Sequence, residues 1–90
     1  MGAVNLAHAH LFNGEFDEAK EIYLFIAGRP CEKGICARSI KEDFTELREL
    51  QYEHPGMCVI GKLIGDEAYA ERQCEPLGPE AANGRGRAAR

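Results

Sequence analysis

The chain has 90 residues, of which 44% are hydrophobic and 29% are charged, with a formal net charge of −4. A chain of this length is one small domain with a thin margin of stability, because it buries only about 60–65% of the surface that its unfolded form exposes. The acidic balance disfavours nucleic acid as the main partner, since phosphate binding requires a concentrated basic surface. The sequence shows neither an apolar run of about 20 residues nor a secretory leader pattern, so we expect no membrane partner and a cytoplasmic location.

The first part of the chain predicts two helices joined by a glycine turn. Apolar residues recur at helical spacing within residues 2–13 and form a stripe that can face a core. The stripe consists of Val4, Ala7 and Leu11. Gly14 ends this helix, because glycine readily adopts the left-handed conformation that terminates helices. A second helix is expected over residues 16–27, with carboxylates in its first turn, where they favour the positive end of the helix dipole.

A loop and a third helix are expected next. Residues 28–38 contain two glycines, a proline and two cysteines, a composition typical of a connection between helices. Ser39 followed by Glu42 has the spacing of a capping box and predicts a helix over residues 39–51.

Pro55 predicts the start of a fourth helix, since its missing N–H is not needed at the first helical position. This helix either ends at Gly65 or continues to about residue 73, because an isolated glycine is tolerated in a helix at about 1 kcal/mol. Residues 75–90 contain too little apolar surface to offset the entropy of ordering, so we expect disorder there. The fold predicted for residues 1–74 is all-α, with two antiparallel helical hairpins stacked on one another.

Spaced residues around the glycine turn resemble a known family. They are Gly14, Phe16, Ala19 and Tyr23. This part of the chain resembles a tetratricopeptide repeat, in which a Gly-x-aromatic-x-x-Ala turn joins two helices. The resemblance implies a hairpin that binds other proteins rather than catalysing a reaction. It departs from the family at His10, where an aromatic residue is usual, and the second hairpin lacks the turn pattern.

The resemblance also implies self-association. Repeat hairpins bury their apolar faces against neighbouring repeats, and about three repeats are usually needed for stability. Two hairpins leave one apolar side uncovered, so we expect a twofold homodimer. Residues 41–64 resemble, more loosely, the tail that follows such repeats in bacterial proteins of unassigned role.

The concave surface of such repeats is lined by residues of the first helix. The candidate partner-binding residues are therefore Asn5, His8, Leu11 and Phe12. In this interpretation Asn5 and His8 are polar anchors for a protein or peptide partner, and Leu11 and Phe12 supply apolar contacts. The alternative is that Leu11 and Phe12 are core or dimer contacts.

The four cysteines are expected to be free thiols, because a chain without a leader pattern is expected in a reducing compartment. Cys31 and Cys36 lie close together in the loop and could instead bind metal or form a local disulfide, which leaves a small thiol- or metal-binding protein as the alternative function. Zinc requires about four ligands, and Cys58 and Cys74 are isolated in the sequence, as is His54. We therefore expect no metal site and no cofactor.

The sequence does not predict an enzyme. It contains no glycine-rich phosphate loop, nucleophile elbow or dinucleotide fingerprint. Carboxylates are abundant, but most of them lie opposite the apolar stripes, where solvation keeps them from acid–base chemistry. Three of them form an acidic ridge that could meet a basic partner: Glu42, Glu46 and Glu49.

Overall fold

The computed structural model describes residues 2–77. This part of the chain is mostly helical, as the sequence predicts, but it also contains one small antiparallel hairpin of two strands. In chain order the elements are α1 (Ala3–Phe12), α2 (Phe16–Ile26), β1 (Pro30–Cys31), β2 (Gly34–Ile35), α3 (Cys36–Glu49), α4 (Pro55–Ile64) and a 3-10 turn (Glu67–Tyr69). The mostly helical structure agrees with the predicted all-α fold class, to which the hairpin adds one small sheet that the sequence did not predict. Most of the predicted disordered tail, residues 78–90, lies outside the described residues.

The most extensive helix pairing in the described chain joins α1 and α2 through the turn at Gly14. Gly14 has a φ of 82°, which explains why glycine occupies this position. Ala7 and Ala19 are both fully buried, and their small side chains allow the two helices to approach closely. The turn is closed by His10, whose Nδ1 lies 2.7 Å from a carboxylate oxygen of Glu15. The predicted helix–turn–helix is thus present, with boundaries within one residue of those expected.

The connection after α2 differs from the predicted plain loop. Pro30 pairs with Ile35 and Cys31 pairs with Gly34 across the short hairpin. The next helix, α3, then begins at Cys36 rather than at Ser39, so the predicted capping box is wrong. Carbonyl groups outside the helix accept hydrogen bonds from two N–H groups of its first turn. The N–H of Cys36 donates to the carbonyl of Arg29, and that of Ala37 donates to the carbonyl of Ala27.

The start and end of α4 follow local signals. Pro55 is the first residue, and Nδ1 of His54 accepts a hydrogen bond of 2.9 Å from the N–H of Gly56. Gly65 has a φ of 79° and ends the helix, so the shorter of the two predicted helices is confirmed. Asp66 then caps the 3-10 turn through a hydrogen bond from the N–H of Ala68.

One apolar core lies between the four helices. Both α3 and α4 contact α2, and α3 also contacts α1 and α4. The largest fully buried side chains are Leu11, Tyr23, Ile40, Phe44, Met57, Ile60 and Tyr69. Phe44 is central to the aromatic packing, because its ring meets those of Tyr23 and Tyr69 edge to face, at centroid distances of 5.7 and 6.4 Å. The core therefore draws on every helix and on the 3-10 turn.

Candidate functional site

A groove of about 460 Å³ lies beside the short hairpin. Its walls are the start of α1, the end of α2 with the following hairpin, and the first two turns of α3. Val4 and Asn5 line it from α1, and Asp43 lines it from α3. The side chains of Arg29 and Lys33 bring positive charge to a groove that also contains carboxylates.

A chain of hydrogen bonds next to the groove joins three helices through His8. Its Nδ1 lies 2.6 Å from the hydroxyl oxygen of Tyr23 in α2, and its Nε2 lies 2.9 Å from Oδ2 of Asp43 in α3. A neutral imidazole satisfies both contacts when the tyrosine O–H donates to Nδ1 and the Nε2–H donates to the carboxylate. The His8 ring also packs against Phe44, with a centroid distance of 5.9 Å. His8 is therefore held in place by internal partners.

Burial raises the pKa of the Tyr23 hydroxyl above its ordinary value, and the negative charge of Asp43 raises it further. Tyr23 is fully buried, so its hydroxyl cannot reach a substrate in the groove. The same burial keeps the hydroxyl protonated and able to donate to His8. The hydrogen bonds of His8 with Tyr23 and Asp43 connect three helices, and we call them the polar strut.

The structure separates the four predicted partner-binding residues. Asn5 is exposed and lines the groove. Phe12 is also exposed, and its ring packs edge to face against His54, with a centroid distance of 5.6 Å. His8 is largely occupied by its internal hydrogen bonds. Leu11 is fully buried in the core, so the expectation that it contacts a partner is corrected in favour of the core alternative.

The outer surface of α1 has no charged side chain. Residues 2–14 contain no Asp, Glu, Lys or Arg, although such residues make up 29% of the chain. Leu6 and Phe12 remain 46% and 40% exposed, respectively. We call this the α1 surface; it consists of the exposed residues Ala3, Asn5, Leu6, Ala9 and Phe12. Asn5 and Phe12 were predicted from the sequence, whereas Leu6 is recognisable as a surface residue only once the buried side of α1 is known.

The expected free thiols are not observed, because all four cysteines form disulfides. Cys31 is bonded to Cys36, with a Cα–Cα distance of 5.0 Å, and Cys58 to Cys74, with a Cα–Cα distance of 5.6 Å. The second pair was missed because the two residues come together only after the chain reverses at Gly65. Among residues 2–77, no group of three or more His, Cys, Asp or Glu side chains is placed to hold a metal ion.

A second cavity, of about 310 Å³, lies beside the Cys58–Cys74 disulfide. Its wall contains Glu53 and Arg72, whose side chains form an ion pair of 2.7 Å. The guanidinium groups of Arg48 and Arg72 each lie 5.0 Å from the centroid of the buried Tyr69 ring. The Tyr69 hydroxyl accepts a hydrogen bond of 2.8 Å from Arg48. These contacts hold the C-terminal segment against the core, and they explain this cluster of charges without a ligand.

The acidic ridge lies on the exposed side of α3. Glu42, Glu46 and Glu49 are all exposed, and Glu42 forms an ion pair of 3.5 Å with Arg38. Exposed pairs of this kind contribute little to stability. The ridge is therefore a solvated helix surface.

Comparison of the chain with protein-family models, with curated proteins and with solved structures gives no match. The resemblance to tetratricopeptide repeats thus stays a prediction based on residues of the α1–α2 hairpin. Within the described residues, no helix combines the length and apolar character needed to cross a membrane.

Proposed function

We propose that the chain is a non-enzymatic protein–protein interaction module, similar to a tetratricopeptide repeat, that associates with a second copy of itself through the α1 surface. The observation that supports this most strongly is the uncharged, partly apolar outer surface of a helix in a highly charged chain. An exposed helix surface in a monomer is normally charged or polar, whereas α1 presents leucine, phenylalanine and alanine there.

The chemistry of the α1 surface favours its own copy over other partners. A basic peptide needs carboxylates, and an acidic partner needs lysine or arginine, but residues 2–14 offer neither. In a twofold interface each patch meets the same patch, so an uncharged patch brings no like charges together. The amide of Asn5 can both donate and accept, and it can therefore pair with the same amide across a twofold axis. Ala3 and Ala9 are small enough to let two α1 helices approach closely.

The size of the α1 surface predicts a weak dimer. The helix has 10 residues and is therefore about 15 Å long. Two such helices cover less than the ~800 Å² per partner of a standard stable interface. Phe12 extends the patch toward His54, and the exposed Tyr52 lies two residues before His54 in the chain. We therefore expect the dissociation constant of the dimer to lie in the micromolar range.

We also propose that the chain consists of two helical hairpins stacked on one another. The paired helices α1 and α2 would form one hairpin, and α3 with α4 would form a divergent second one. Two copies joined through α1 would then bring four hairpins together, which exceeds the about three repeats that such arrays usually need.

A cytoplasmic location also stays a prediction. The two disulfides argue against it, because disulfides persist mainly in oxidising compartments.

The dimer is tested by placing charge on the α1 surface. Leu6→Glu puts two carboxylates near each other across the proposed twofold axis, where their like charges oppose association. The matched control is Leu63→Glu in α4, since Leu63 is 53% exposed and Leu6 is 46% exposed. We expect Leu6→Glu to be monomeric by light scattering after gel filtration, while Leu63→Glu associates as the wild type does.

Phe12→Ala should weaken association in the same assay. Circular dichroism of each variant shows whether the fold is retained. Equal association of Leu6→Glu and the wild type would refute the α1 interface. Loss of association in Leu63→Glu alone would place the interface on α4 instead.

A further inference from the structure

We propose that the Cys31–Cys36 disulfide is an exchange site, at which the folded chain transfers its disulfide to a dithiol of a partner protein. The transfer is stoichiometric, one disulfide per chain, and it takes place in the groove. The reacting sulfur atoms lie outside the α1 surface, although Ala3 and Asn5 of that surface also line the groove.

The groove gives a thiol access to one sulfur of this disulfide. Cys31 is half-buried at the end of β1, and both Cys31 and Cys36 line the groove. Cys36 is buried in the core cluster. An incoming thiolate therefore meets Cys31 first, and Cys36 becomes the leaving group.

The surroundings of Cys36 favour its departure as a thiolate. It is the first residue of the 14-residue helix α3, where the positive end of the helix dipole stabilises negative charge. The first turn of α3 contains no acidic residue and has no side-chain cap. The N–H groups of Cys36 and Ala37 donate to main-chain carbonyls, so the helix dipole acts on the thiolate without a direct hydrogen bond from either group. Arg29 and Lys33 line the same groove. Three carboxylates line it as well, those of Glu32, Glu42 and Asp43, so the position of Cys36 at the start of the helix, and not the charge of the groove, favours its departure. Good leaving thiols speed exchange, so this end of the disulfide is suited to release.

The exchange balances in two steps. In the first, a partner thiolate attacks Sγ of Cys31, a mixed disulfide forms, and the Cys31–Cys36 bond breaks with Cys36 leaving as a thiolate. In the second, the other thiolate of the partner attacks the partner's own sulfur in the mixed disulfide, and Cys31 leaves as a thiolate. The partner dithiol is oxidised to a disulfide, and the two electrons reduce the Cys31–Cys36 pair. Both new thiolates take protons from solvent according to pH.

The Cys58–Cys74 disulfide provides an internal comparison. Cys58 is buried and is the fourth residue of α4, so it does not lie at the first position of its helix as Cys36 does. Its partner Cys74 follows the 3-10 turn, and the bond spans 16 residues, against 5 for the first disulfide. This bond fastens the C-terminal segment to α4, and we expect it to stay oxidised while the protein is folded.

To test this, the oxidised 90-residue protein is treated with dithiothreitol under native conditions. Samples are quenched with acid and alkylated, and peptide mass spectrometry then gives the reduction rate of each disulfide. We expect the Cys31–Cys36 bond to be reduced at least about tenfold faster than the Cys58–Cys74 bond, because the leaving thiol differs. The variant Cys31→Ser/Cys36→Ser should lose the fast phase, and Cys58→Ser/Cys74→Ser should keep it. Equal rates for the two bonds, or reduction of Cys31–Cys36 only after unfolding in urea, would overturn the proposal.

A second measurement separates exchange from mere accessibility. A reduced dithiol peptide replaces dithiothreitol, and its oxidation is followed by chromatography. The proposal predicts one oxidised peptide per folded chain, with the mixed disulfide to Cys31 trapped when the peptide carries a single cysteine. Trapping at Cys58 or Cys74 instead would contradict it.

Discussion

Replacing Gly61 by alanine sets helix propensity against packing in the middle of α4. Propensity alone predicts that the substitution stabilises the protein by about 1 kcal/mol. The structure predicts the opposite, because a Cβ at this position would overlap the Tyr69 ring, lying 2.9 Å from Cγ and 3.0 Å from Cε2. Tyr69 is fully buried, so its ring cannot move aside into solvent.

The expected loss in the free energy of unfolding comes from the displacement of the Tyr69 ring. Overpacking of a dense core costs about 1–3 kcal/mol, and the ring overlap here places Gly61→Ala at the upper end of that range. A shifted ring also weakens the hydrogen bond from Arg48, which contributes about 1 kcal/mol. After subtracting the gain in helix propensity, we expect a net loss of about 2–3 kcal/mol. For a domain of this size the melting temperature should fall by roughly 10–20 °C.

Thermal unfolding followed by circular dichroism measures this loss. Gly28→Ala is the matched control, because nothing lies within 4 Å of its new Cβ and its φ is not positive. That variant should be unchanged or more stable by about 0.4–1 kcal/mol. Combining Gly61→Ala with Tyr69→Ala should remove the penalty of the alanine, since the overlapping ring is gone. A higher melting temperature for Gly61→Ala than for the wild type would refute the packing of Tyr69 against α4.

Two further predictions concern the polar strut and the second disulfide. Burial raises the pKa of the Tyr23 hydroxyl above its ordinary value of 10.0. The contribution of this hydroxyl to stability is therefore fully present below pH 10 and is lost as the pH rises above 10. Urea unfolding between about pH 9 and about pH 11 should show the free energy of unfolding falling by up to ~1.4 kcal/mol per pH unit from this group; an undiminished slope in Tyr23→Phe would contradict this. Removing the Cys58–Cys74 bond with serine at both positions should lower the free energy of unfolding by about 3 kcal/mol. Removing the Cys31–Cys36 bond should cost only about 2 kcal/mol, because its loop is shorter. If removing Cys58–Cys74 costs no more than that, the second bond does not constrain the unfolded chain as its span implies.

The features that the sequence predicts well are those encoded by neighbouring residues. Gly14 and Gly65 each adopt a positive φ at a helix end. Residue type predicted Gly14 as a terminator and gave Gly65 as one of two possible ends of α4. Pro55 marks the start of α4 for an equally local reason. Leu11 lies in the apolar stripe with Val4 and Ala7, but the sequence left both interpretations of this residue open. Only the packing of α1 places Leu11 in the core.

The features that were missed depend on contacts between distant parts of the chain. The start of α3 is fixed by carbonyls of Ala27 and Arg29 across the hairpin, which outweigh the local signal at Ser39. Two-residue strands are too short to show alternation in a sequence. The partners of His8 lie 15 and 35 residues away, so its role as a strut could not be seen from its neighbours in the sequence.

The α1 surface illustrates the same limit for function. The absence of charge in residues 2–14 is visible in the sequence. Which of those residues face outward depends on how α2 and α3 pack against α1, and only that packing separates the exposed Leu6 from the buried Leu11.

The dimer through the α1 surface is tested most directly by sedimentation of the wild-type protein over a concentration series from about 1 to about 100 µM. The proposed interface predicts an average mass that rises with concentration from the monomer value of 10.0 kDa toward twice that value. A mass that stays at the monomer value across the whole series would contradict the account.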